Sequence, residues 1–414
     1  MTGRVEIAAR LNEVLRRSVE ADEVPGVVAM VANDRDLIYE GAFGVRRLGD
    51  AQAMTLDTLF NIQSMNKAVT SVAAMQLVEQ GKLTLDDPVP AIDEVLSAPQ
   101  VLIGFDADGR PLLRPAKRPI TLKHLLTHTA GFAYPLWNPD VGRYSRATET
   151  PPIMSGRLAA LRMPLMFDPG EKWEYGFNID WVGRLVEELS GQDLCAYCRD
   201  RICAPLGMAD TTYVPTAEQQ ARRAAGHQRL SDGSLAAQPP ERPVAREFFG
   251  GLCSTAGDYL AFLRMLLNHG QLCGTRILNP ATVALMGRNH TGALRAGVMK
   301  TAMPELTNDV DIFPGARLGW GLGYMVNLEA GPDGRSAGTL SWAGLRNTYY
   351  WLDPVKRVAG VIMTQIRTIT RRVTGISSGV TIPAKACRRL RGLSSSPRGP
   401  PSPPPDKRRA SFAA

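Results

Sequence analysis

The sequence predicts an α/β (α+β) protein in which an antiparallel sheet flanked by helices carries an inserted, mostly helical domain. Two short strands near the N-terminus form a predicted hairpin, and four further strands follow only after residue 320. The long stretch between them has mainly helical patterning. A sheet shared by both chain ends therefore encloses the helical region. The predicted domains are a discontinuous sheet domain (1–60 and 305–366), a mostly helical domain (61–304) and a tail (367–414).

The N-terminal elements follow from local patterning. Apolar residues recur at Ile7, Leu11 and Leu15, which predicts a helix over residues 5–20 that ends before Pro25-Gly26. Two apolar stretches, 27–31 and 37–42, flank Asn33-Asp34-Arg35-Asp36, a typical turn sequence. This pattern predicts the hairpin.

A long helix is predicted from Ser64 to Gly81. Its apolar positions cover nearly the whole circumference, which indicates a helix buried on all sides. Gly81 is a typical residue just beyond a helix C-terminus. The remaining elements are predicted helices over 122–128, 179–189, 193–202 and 256–267, a hairpin over 101–113, and strands over 321–328, 339–342, 348–352 and 358–366.

Composition and charge exclude several classes of protein. The chain has 414 residues, of which 44% are hydrophobic and 21% charged, an ordinary globular composition without an apolar run long enough to span a membrane. Its net charge is +8, but residues 367–414 contain 11 Lys and Arg against one Asp, so the rest carries −2. The body therefore lacks the basic surface that nucleic acids require. Without a basic, apolar leader at the N-terminus, a cytoplasmic location is expected.

The tail and the cysteines suggest no chemistry. The tail is rich in Pro, Arg and Ser and is predicted to be disordered. Cys195-Ala-Tyr-Cys198 is a single C-x-x-C without a second metal-binding pair. We therefore expect reduced, structural cysteines and no metal or cofactor.

Ser64-Met65-Asn66-Lys67 is an S-x-x-K sequence at the start of the buried helix. Residues at i and i+3 lie on one face of a helix, so the amine can reach the hydroxyl. A buried lysine with a lowered pKa could accept the serine proton, whereas one that stays charged could make a nearby tyrosine acidic. A capping serine followed by a lysine that extends to solvent is the structural alternative.

A wider set of motifs resembles the class C β-lactamase-like serine hydrolases, most closely the family VIII carboxylesterases, and also the fungal acyltransferases of polyketide tailoring. The resemblance covers roughly residues 5–366. Its main segments are Phe60-Asn-Ile-Gln-Ser-Met-Asn-Lys67, Leu125-Leu-Thr-His-Thr-Ala-Gly131, Asp168-Pro-Gly170, Tyr175-Gly-Phe-Asn-Ile-Asp180 and Gly319-Trp-Gly-Leu-Gly323. It implies a β-lactamase/transpeptidase-like fold.

The resemblance also implies roles for individual residues. Ser64 would be the nucleophile, and Tyr175 would shuttle protons with Lys67 keeping the phenol acidic. β-Lactamases have an Asn two residues after this tyrosine, where this chain has Phe177. Its Asn178 stands one position later, and the resemblance makes it a candidate substrate-binding residue. Without the resemblance, a tyrosine at this position is more often a packed loop aromatic.

A third motif, usually Lys-Thr-Gly in β-lactamases, corresponds to Trp342-Ala343-Gly344. The cation that meets a β-lactam carboxylate is thus replaced by tryptophan, which favours apolar esters, although Trp342 could instead be a core aromatic. The resemblance places the oxyanion hole at the backbone N–H groups of Ser64 and Leu345. Tyr134 and Trp137 either line an acyl pocket or pack at the surface.

Two further patterns are weak. Gly375-Ile-Ser-Ser-Gly379 fits G-x-S-x-G, but no histidine follows it, as an α/β-hydrolase would require. His124 and His128 stand four residues apart, without a third metal ligand at a suggestive spacing.

The sequence therefore predicts a serine carboxylesterase that hydrolyses short-chain acyl esters through an acyl-enzyme on Ser64. Its expected partner is a small-molecule ester, with no nucleic acid or membrane. β-Lactam or peptide hydrolysis and acyl transfer are alternatives within the same fold. A catalytically silent homologue that binds a ligand or partner is the alternative of another class.

Overall fold

A computed structural model describes residues 2–240, 247–248, 251–304, 306–331 and 333–368. Its largest feature is a seven-stranded sheet whose strands come from both parts of the chain, as predicted. The strands of this sheet are β1 (Gly26–Asn33), β2 (Leu37–Gly44), β3 (Leu318–Trp320), β4 (Met325–Asn327), β5 (Leu340–Gly344), β6 (Thr348–Asp353) and β7 (Val358–Met363). Their order is β3-β4-β5-β6-β7-β1-β2, and every neighbouring pair is antiparallel. The domain bounds themselves stay a prediction.

The described helices comprise one that precedes β1 and those of the region inserted between β2 and β3. They are α1 (Thr2–Glu20), α2 (Asn66–Glu79), α3 (Glu94–Ser97), α4 (Leu122–Leu126), α5 (Pro139–Thr148), α6 (Asn178–Ser190), α7 (Leu194–Cys198), α8 (Ala217–Ala221), α9 (Ala256–Leu267) and α10 (Pro280–Met286). Short strand pairs accompany them at Phe60–Asn61 with Cys253–Ser254, Gln100–Phe105 with Pro111–Pro115, Gln271–Leu272 with Thr275–Arg276, and Val298–Met299 with Val310–Asp311.

The two faces of the sheet are covered by different helices. The predicted apolar stripe of α1, Ile7, Leu11 and Leu15, is buried in a cluster with Val27 and Trp351 of the sheet. α9 packs against β1 and β7 and belongs to the larger core cluster, which also contains α2 and α6. This second core carries the chemistry described below.

Helix α2 confirms the prediction of a helix buried on all sides. Eleven of its fourteen residues are buried, including Lys67 and Asn66. The helix begins two residues later than predicted, because Gln63–Met65 form a 3₁₀ turn. Ser64 therefore lies in this turn, immediately before the helix.

The late strands differ from the prediction at two places. The predicted strand over 321–328 is confirmed only where β4 lies; the prediction is wrong for residues 321–324, where the chain turns between β3 and β4. Gly323 has a φ of +101°, and a Cβ on it would lie 2.3 Å from Ser71 Oγ, so the turn depends on glycine. The predicted strand over 358–366 also divides, because after β7 a separate strand, Ile366–Thr368, pairs in parallel with His227–Arg229, which pairs in turn with Leu235–Ala237.

Most of the predicted tail lies outside the described residues, as does the G-x-S-x-G sequence at 375–379. Only its first two residues, Arg367 and Thr368, are described, and they belong to the short strand above. The described cysteines, including Cys195 and Cys198 of α7, are free. Within the described residues no helix combines the length and apolarity needed to cross a membrane.

An ion pair with a buried carboxylate joins Arg114 to Asp168, in the segment just before Tyr175. The Asp168 carboxylate is fully buried and accepts hydrogen bonds from the Arg114 guanidinium at 3.0 and 2.6 Å and from the backbone N–H of Lys117 at 2.8 Å. The Arg114 hydrogen bonds hold the pKa of Asp168 well below its usual range.

We expect Asp168→Asn to lower the free energy of unfolding by about 2–4 kcal/mol, because a partly buried guanidinium loses its charged partner. Urea unfolding at neutral pH measures this. The matched control is Asp200→Asn in the exposed Arg199–Asp200 pair, which should leave the free energy of unfolding nearly unchanged because solvent screens the pair. Equal effects of the two variants would show that the buried pair has no special role.

Candidate active site

The predicted serine and lysine lie in direct contact. Lys67 Nζ donates a hydrogen bond to Ser64 Oγ at 3.1 Å, as the i+3 spacing predicts. The lysine is only 5% exposed. The structural alternative of a lysine extending to solvent is therefore wrong.

Two tyrosines surround the lysine. Lys67 Nζ lies 3.3 Å from the Tyr134 hydroxyl and 4.9 Å from the centre of the Tyr175 ring. The two tyrosine rings are 5.5 Å apart. Residues far apart in the chain thus meet around one buried amine.

The groups around Lys67 determine its charge state. Burial alone would lower the pKa of Lys67, but attraction to Tyr134, Tyr175 and Asp180 outweighs it and raises the pKa above the ordinary value. Of the two possibilities that the sequence left open, the structure favours the lysine that stays charged. Burial raises the pKa of Tyr134.

Trp342 completes the contacts of Tyr175. The indole Nε1–H donates a hydrogen bond to the Tyr175 hydroxyl at 3.0 Å, and the two rings lie 4.9 Å apart. Trp342 is 4% exposed and also packs edge-on against Trp320. The residue is therefore a buried aromatic and, at the same time, a hydrogen-bond donor to the predicted catalytic tyrosine.

His128 contacts residues 175–178, the tyrosine loop, through one of its ring nitrogens. His128 Nδ1 lies 3.4 Å from the backbone N of Gly176 and 3.0 Å from Asn178 Nδ2. Burial, and secondly the charge of Lys67, hold the pKa of His128 well below its usual value, so the ring is neutral. Both neighbours donate, and Nδ1 is therefore the acceptor, which places the proton on Nε2.

Asn178 faces this histidine. It is fully buried, and its amide also donates to the carbonyl of Phe132 at 3.1 Å. These contacts hold Asn178 against His128 and the backbone of Phe132. Its predicted contact with substrate stays a prediction.

Strand β5, which carries Trp342, ends against the 3₁₀ turn Gln63–Met65 that contains Ser64 (the serine turn). A Cβ on Gly344 would lie 2.4 Å from the carbonyl oxygen of Ile62 and 3.1 Å from Gln63 Cβ. Glycine thus allows the end of β5 to approach the turn closely. Leu345, whose N–H is predicted to serve the oxyanion hole, follows directly and is 38% exposed.

The residue before the serine is held in a strained backbone conformation. Gln63 has a φ of +48°, unusual for a residue other than glycine. Asn61 Oδ1 accepts hydrogen bonds from the Gln63 backbone N–H at 3.1 Å and from its Nε2 at 2.9 Å. Sequence patterns gave no signal for this turn.

The histidine pair is not arranged as a metal site. His124 Nδ1 accepts the N–H of Thr121 in a helix capping box, and burial lowers its pKa to about 4. Over the part of the chain that the structure describes, no group of three or more His, Cys, Asp or Glu could hold a metal ion.

Comparison with known proteins identifies the family of this chain. The family model described as Beta-lactamase matches residues 11–376. The chain is 32% identical to "Lovastatin esterase" of Penicillium rubens, covering 85% of this chain and 91% of that protein. It is also 32% identical to "Monacolin J acid methylbutanoyltransferase" of Aspergillus terreus, covering 83% and 87%.

A solved structure of unliganded simvastatin synthase from Aspergillus terreus matches with a TM-score of 0.79 at 29% identity, covering 94% of this chain and 99% of that one. This match confirms the predicted β-lactamase/transpeptidase-like fold. Relatives named as an esterase and an acyltransferase agree with the predicted resemblance. The chain belongs to the Beta-lactamase family.

Proposed function

We propose that this protein is a serine carboxylesterase that acylates Ser64 and releases the acid with water. The observation that carries the proposal is the 3.1 Å contact between Ser64 Oγ and Lys67 Nζ at a site where the same amine lies against Tyr175. A hydroxyl with a proton-transfer partner in reach is an activated nucleophile. The 32% identity to a relative named as an esterase also supports the proposal.

The proton steps follow from the charge of Lys67. Its raised pKa keeps the amine protonated, so it does not serve as the resting base. We assign the proton of Ser64 to Tyr175 acting as a phenolate: as Ser64 Oγ bonds to the ester carbonyl carbon, its proton passes to the Tyr175 oxygen, which accepts the Trp342 N–H and whose ring centre lies 4.9 Å from the Lys67 ammonium. Tyr175 then returns the proton to the departing alcohol, and the same steps in reverse admit water.

The backbone N–H groups of Ser64 and Leu345 are assigned to the developing oxyanion. The close approach of Gly344 to the serine turn supports this, since it brings the end of β5 beside the nucleophile. Such donors stabilise a tetrahedral intermediate strongly because they are held in place before the reaction.

Trp342 favours an ester over a β-lactam as the substrate. At the position where β-lactamases carry a cation, this chain has a buried, neutral indole whose N–H is occupied by Tyr175. No charge at that position meets a substrate carboxylate. Short-chain acyl esters as substrates and membership of the family VIII carboxylesterases are further parts of the proposal.

Acyl transfer to an alcohol is the second candidate. It is favoured by the acyltransferase relative, which matches the chain over 83% of its length. Both reactions share the acyl-enzyme and differ in whether water or an alcohol removes the acyl group.

Parallel assays with p-nitrophenyl butyrate and a chromogenic cephalosporin test the proposal. We expect turnover of the ester by the wild type, none by Ser64→Ala, and slow or no turnover of the cephalosporin. Adding methanol and measuring butyrate against methyl butyrate separates hydrolysis from transfer. Faster cephalosporin than ester turnover, or undiminished ester turnover by Ser64→Ala, would contradict the proposal.

We expect Trp342→Phe to lower kcat about 10- to 100-fold with a smaller change in KM, because it removes the indole donor to Tyr175 while keeping an aromatic ring. Steady-state kinetics on p-nitrophenyl butyrate measure this. Trp351→Phe is the matched control, since Trp351 is a buried sheet tryptophan on the α1 side. An equal loss of kcat in both variants would show that the effect comes from packing and not from the hydrogen bond to Tyr175.

A further inference from the structure

Two hydroxyl groups from distant parts of the chain bind the backbone around the nucleophile. Thr348 of β6 donates its hydroxyl to the carbonyl oxygen of Ile62 at 3.3 Å. Tyr259 of α9 donates its hydroxyl to the carbonyl oxygen of Met65 at 2.9 Å. Ile62 directly precedes the serine turn and Met65 is its last residue. The two hydroxyls therefore hold the turn on both sides of Ser64.

Both donors are themselves held in place by packing. Thr348 and Tyr259 are fully buried. The Tyr259 ring lies in the core against the rings of Phe262 and Tyr350, with centres 5.6 and 5.2 Å away. Thr348 is β-branched, so its side chain has few alternative rotamers. Neither hydroxyl can easily follow the turn if the turn moves, and each therefore defines a fixed position for its acceptor.

The two acceptor carbonyls also have backbone partners. The carbonyl of Ile62 accepts the N–H of Met65 at 3.1 Å. Met65 is the N-cap residue of α2, and an N-cap carbonyl accepts the first hydrogen bond within its helix. Loss of either hydroxyl therefore leaves no orphaned carbonyl, and its cost in stability is small. The hydroxyl bonds thus contribute mainly to where the turn lies.

The serine turn needs such support because its first residue is strained. Gln63 has a φ of +48°, and strain of this kind persists only where the surrounding structure holds it. The hydrogen bonds from Gln63 to Asn61 Oδ1 lie within the same short segment and would move with it. The bonds to Thr348 and Tyr259 instead fix the segment against β6 and α9.

Gly344 leaves the space for one of these hydrogen bonds. A Cβ on Gly344 would lie 2.3 Å from Thr348 Oγ1 and 2.4 Å from the carbonyl oxygen of Ile62, which are the donor and the acceptor. Gly344 and Thr348 are also direct partners in the β5–β6 pairing. The hydrogen bond therefore joins the serine turn to the strand end that leads into Leu345.

We propose that Thr348 and Tyr259 are positioning residues, whose hydroxyls hold the serine turn so that Ser64 stays aligned with the N–H of Leu345. This inference rests on the proposed function and adds the residues that align its nucleophile. Both act through the backbone of the turn. Because a displacement of about 1 Å at reacting groups can cost about 10²-fold in rate, a partial release of the turn is measurable.

The test variants are Thr348→Val and Tyr259→Phe, each of which deletes one hydroxyl and keeps the packed part of the side chain. Their matched controls are Thr339→Val and Tyr324→Phe. Thr339 and Tyr324 are equally buried, and their hydroxyls form no hydrogen bond with any group in the described part of the chain. Thr348→Ser retains the donor and tests rescue. Thermal melting establishes that each variant is folded.

Hydrogen–deuterium exchange measures the turn directly, without an ester. Mass spectrometry follows the peptide that contains residues 60–66 in each protein. We expect exchange at least about threefold faster in both test variants, and wild-type exchange in both controls and in Thr348→Ser. Unchanged exchange in either test variant, or equally fast exchange in the controls, would overturn the proposal. This outcome is independent of whether the proposed esterase activity is found.

Steady-state kinetics on p-nitrophenyl butyrate then separate alignment from substrate binding. We expect kcat to fall at least about tenfold in both test variants with KM within about twofold of wild type. The two controls should keep wild-type kcat, and Thr348→Ser should recover kcat to within about threefold of it. Wild-type kcat in the folded test variants, or an equal loss in the controls, would overturn the proposal.

Discussion

Lys67→Met should lower kcat for p-nitrophenyl butyrate about 10²- to 10⁴-fold. The variant removes the ammonium that contacts Ser64 Oγ and lies against Tyr175, and with it the proton-transfer contribution typical of such groups. Because an unbranched apolar side chain replaces a buried cation, the melting temperature should not fall in proportion. Stopped-time ester assays and thermal melts on the same preparation measure both.

The matched control is Lys82→Met, just beyond the end of α2, where the side chain is exposed. It should retain wild-type kcat. If Lys67→Met kept kcat within a few-fold of wild type, the Lys67 ammonium would not be needed for proton transfer between Ser64 and Tyr175, and its assigned role would be wrong.

Gly344→Ala should reduce kcat/KM by about 10²-fold or more and should also lower the melting temperature. The added Cβ would lie 2.4 Å from the carbonyl oxygen of Ile62 and 2.3 Å from Thr348 Oγ1, so the strand end must move away from the serine turn. Displacements of about 1 Å at reacting groups can cost about 10²-fold in rate. The same ester assay and thermal melt measure this result.

Gly257→Ala provides the comparison, because a Cβ at Gly257 of α9 would meet nothing closer than 3.9 Å. We expect it to keep activity and to gain slight stability from better helix propensity. Full activity of Gly344→Ala would show that the approach of β5 to the serine turn is not needed for an oxyanion hole.

Local patterns were sufficient for the elements that depend on near neighbours. The β1–β2 hairpin follows from two apolar segments around an Asn-Asp turn, and the structure shows Asn33 Oδ1 accepting the backbone N–H of Arg35 at 2.8 Å. The Ser64–Lys67 contact follows from helical spacing, which brings residues three apart onto one face.

Contacts between residues far apart in the chain could not be predicted from local sequence patterns. The hydrogen bond from Trp342 to Tyr175 joins residues 167 positions apart, and nothing in either segment alone indicates it. The resemblance assigned Trp342 to the third motif but did not provide its role as a donor. The same limit applies to His128 and Asn178, which meet across 50 residues.

At some positions tertiary packing overrides the structure that the local sequence pattern predicts. The chain over 321–328 has apolar residues typical of a strand, but the close contact of Gly323 with α2 requires a turn there. The Tyr-Gly-x-Asn-x-Asp segment pointed to Asn178 at the substrate. In the structure, Asp180 of that segment instead acts electrostatically on Lys67.

The account depends on Ser64 acting as the nucleophile. Diethyl p-nitrophenyl phosphate, an ester analogue that reacts irreversibly with nucleophilic serines, tests this directly. Intact-mass spectrometry counts the labels on each chain, and peptide mapping locates them. We predict one diethyl phosphoryl group per wild-type chain, located on Ser64, loss of ester hydrolysis in step with labelling, and no label on Ser64→Ala. Inactivation with the label on a different residue, or equal labelling of Ser64→Ala, would contradict the account.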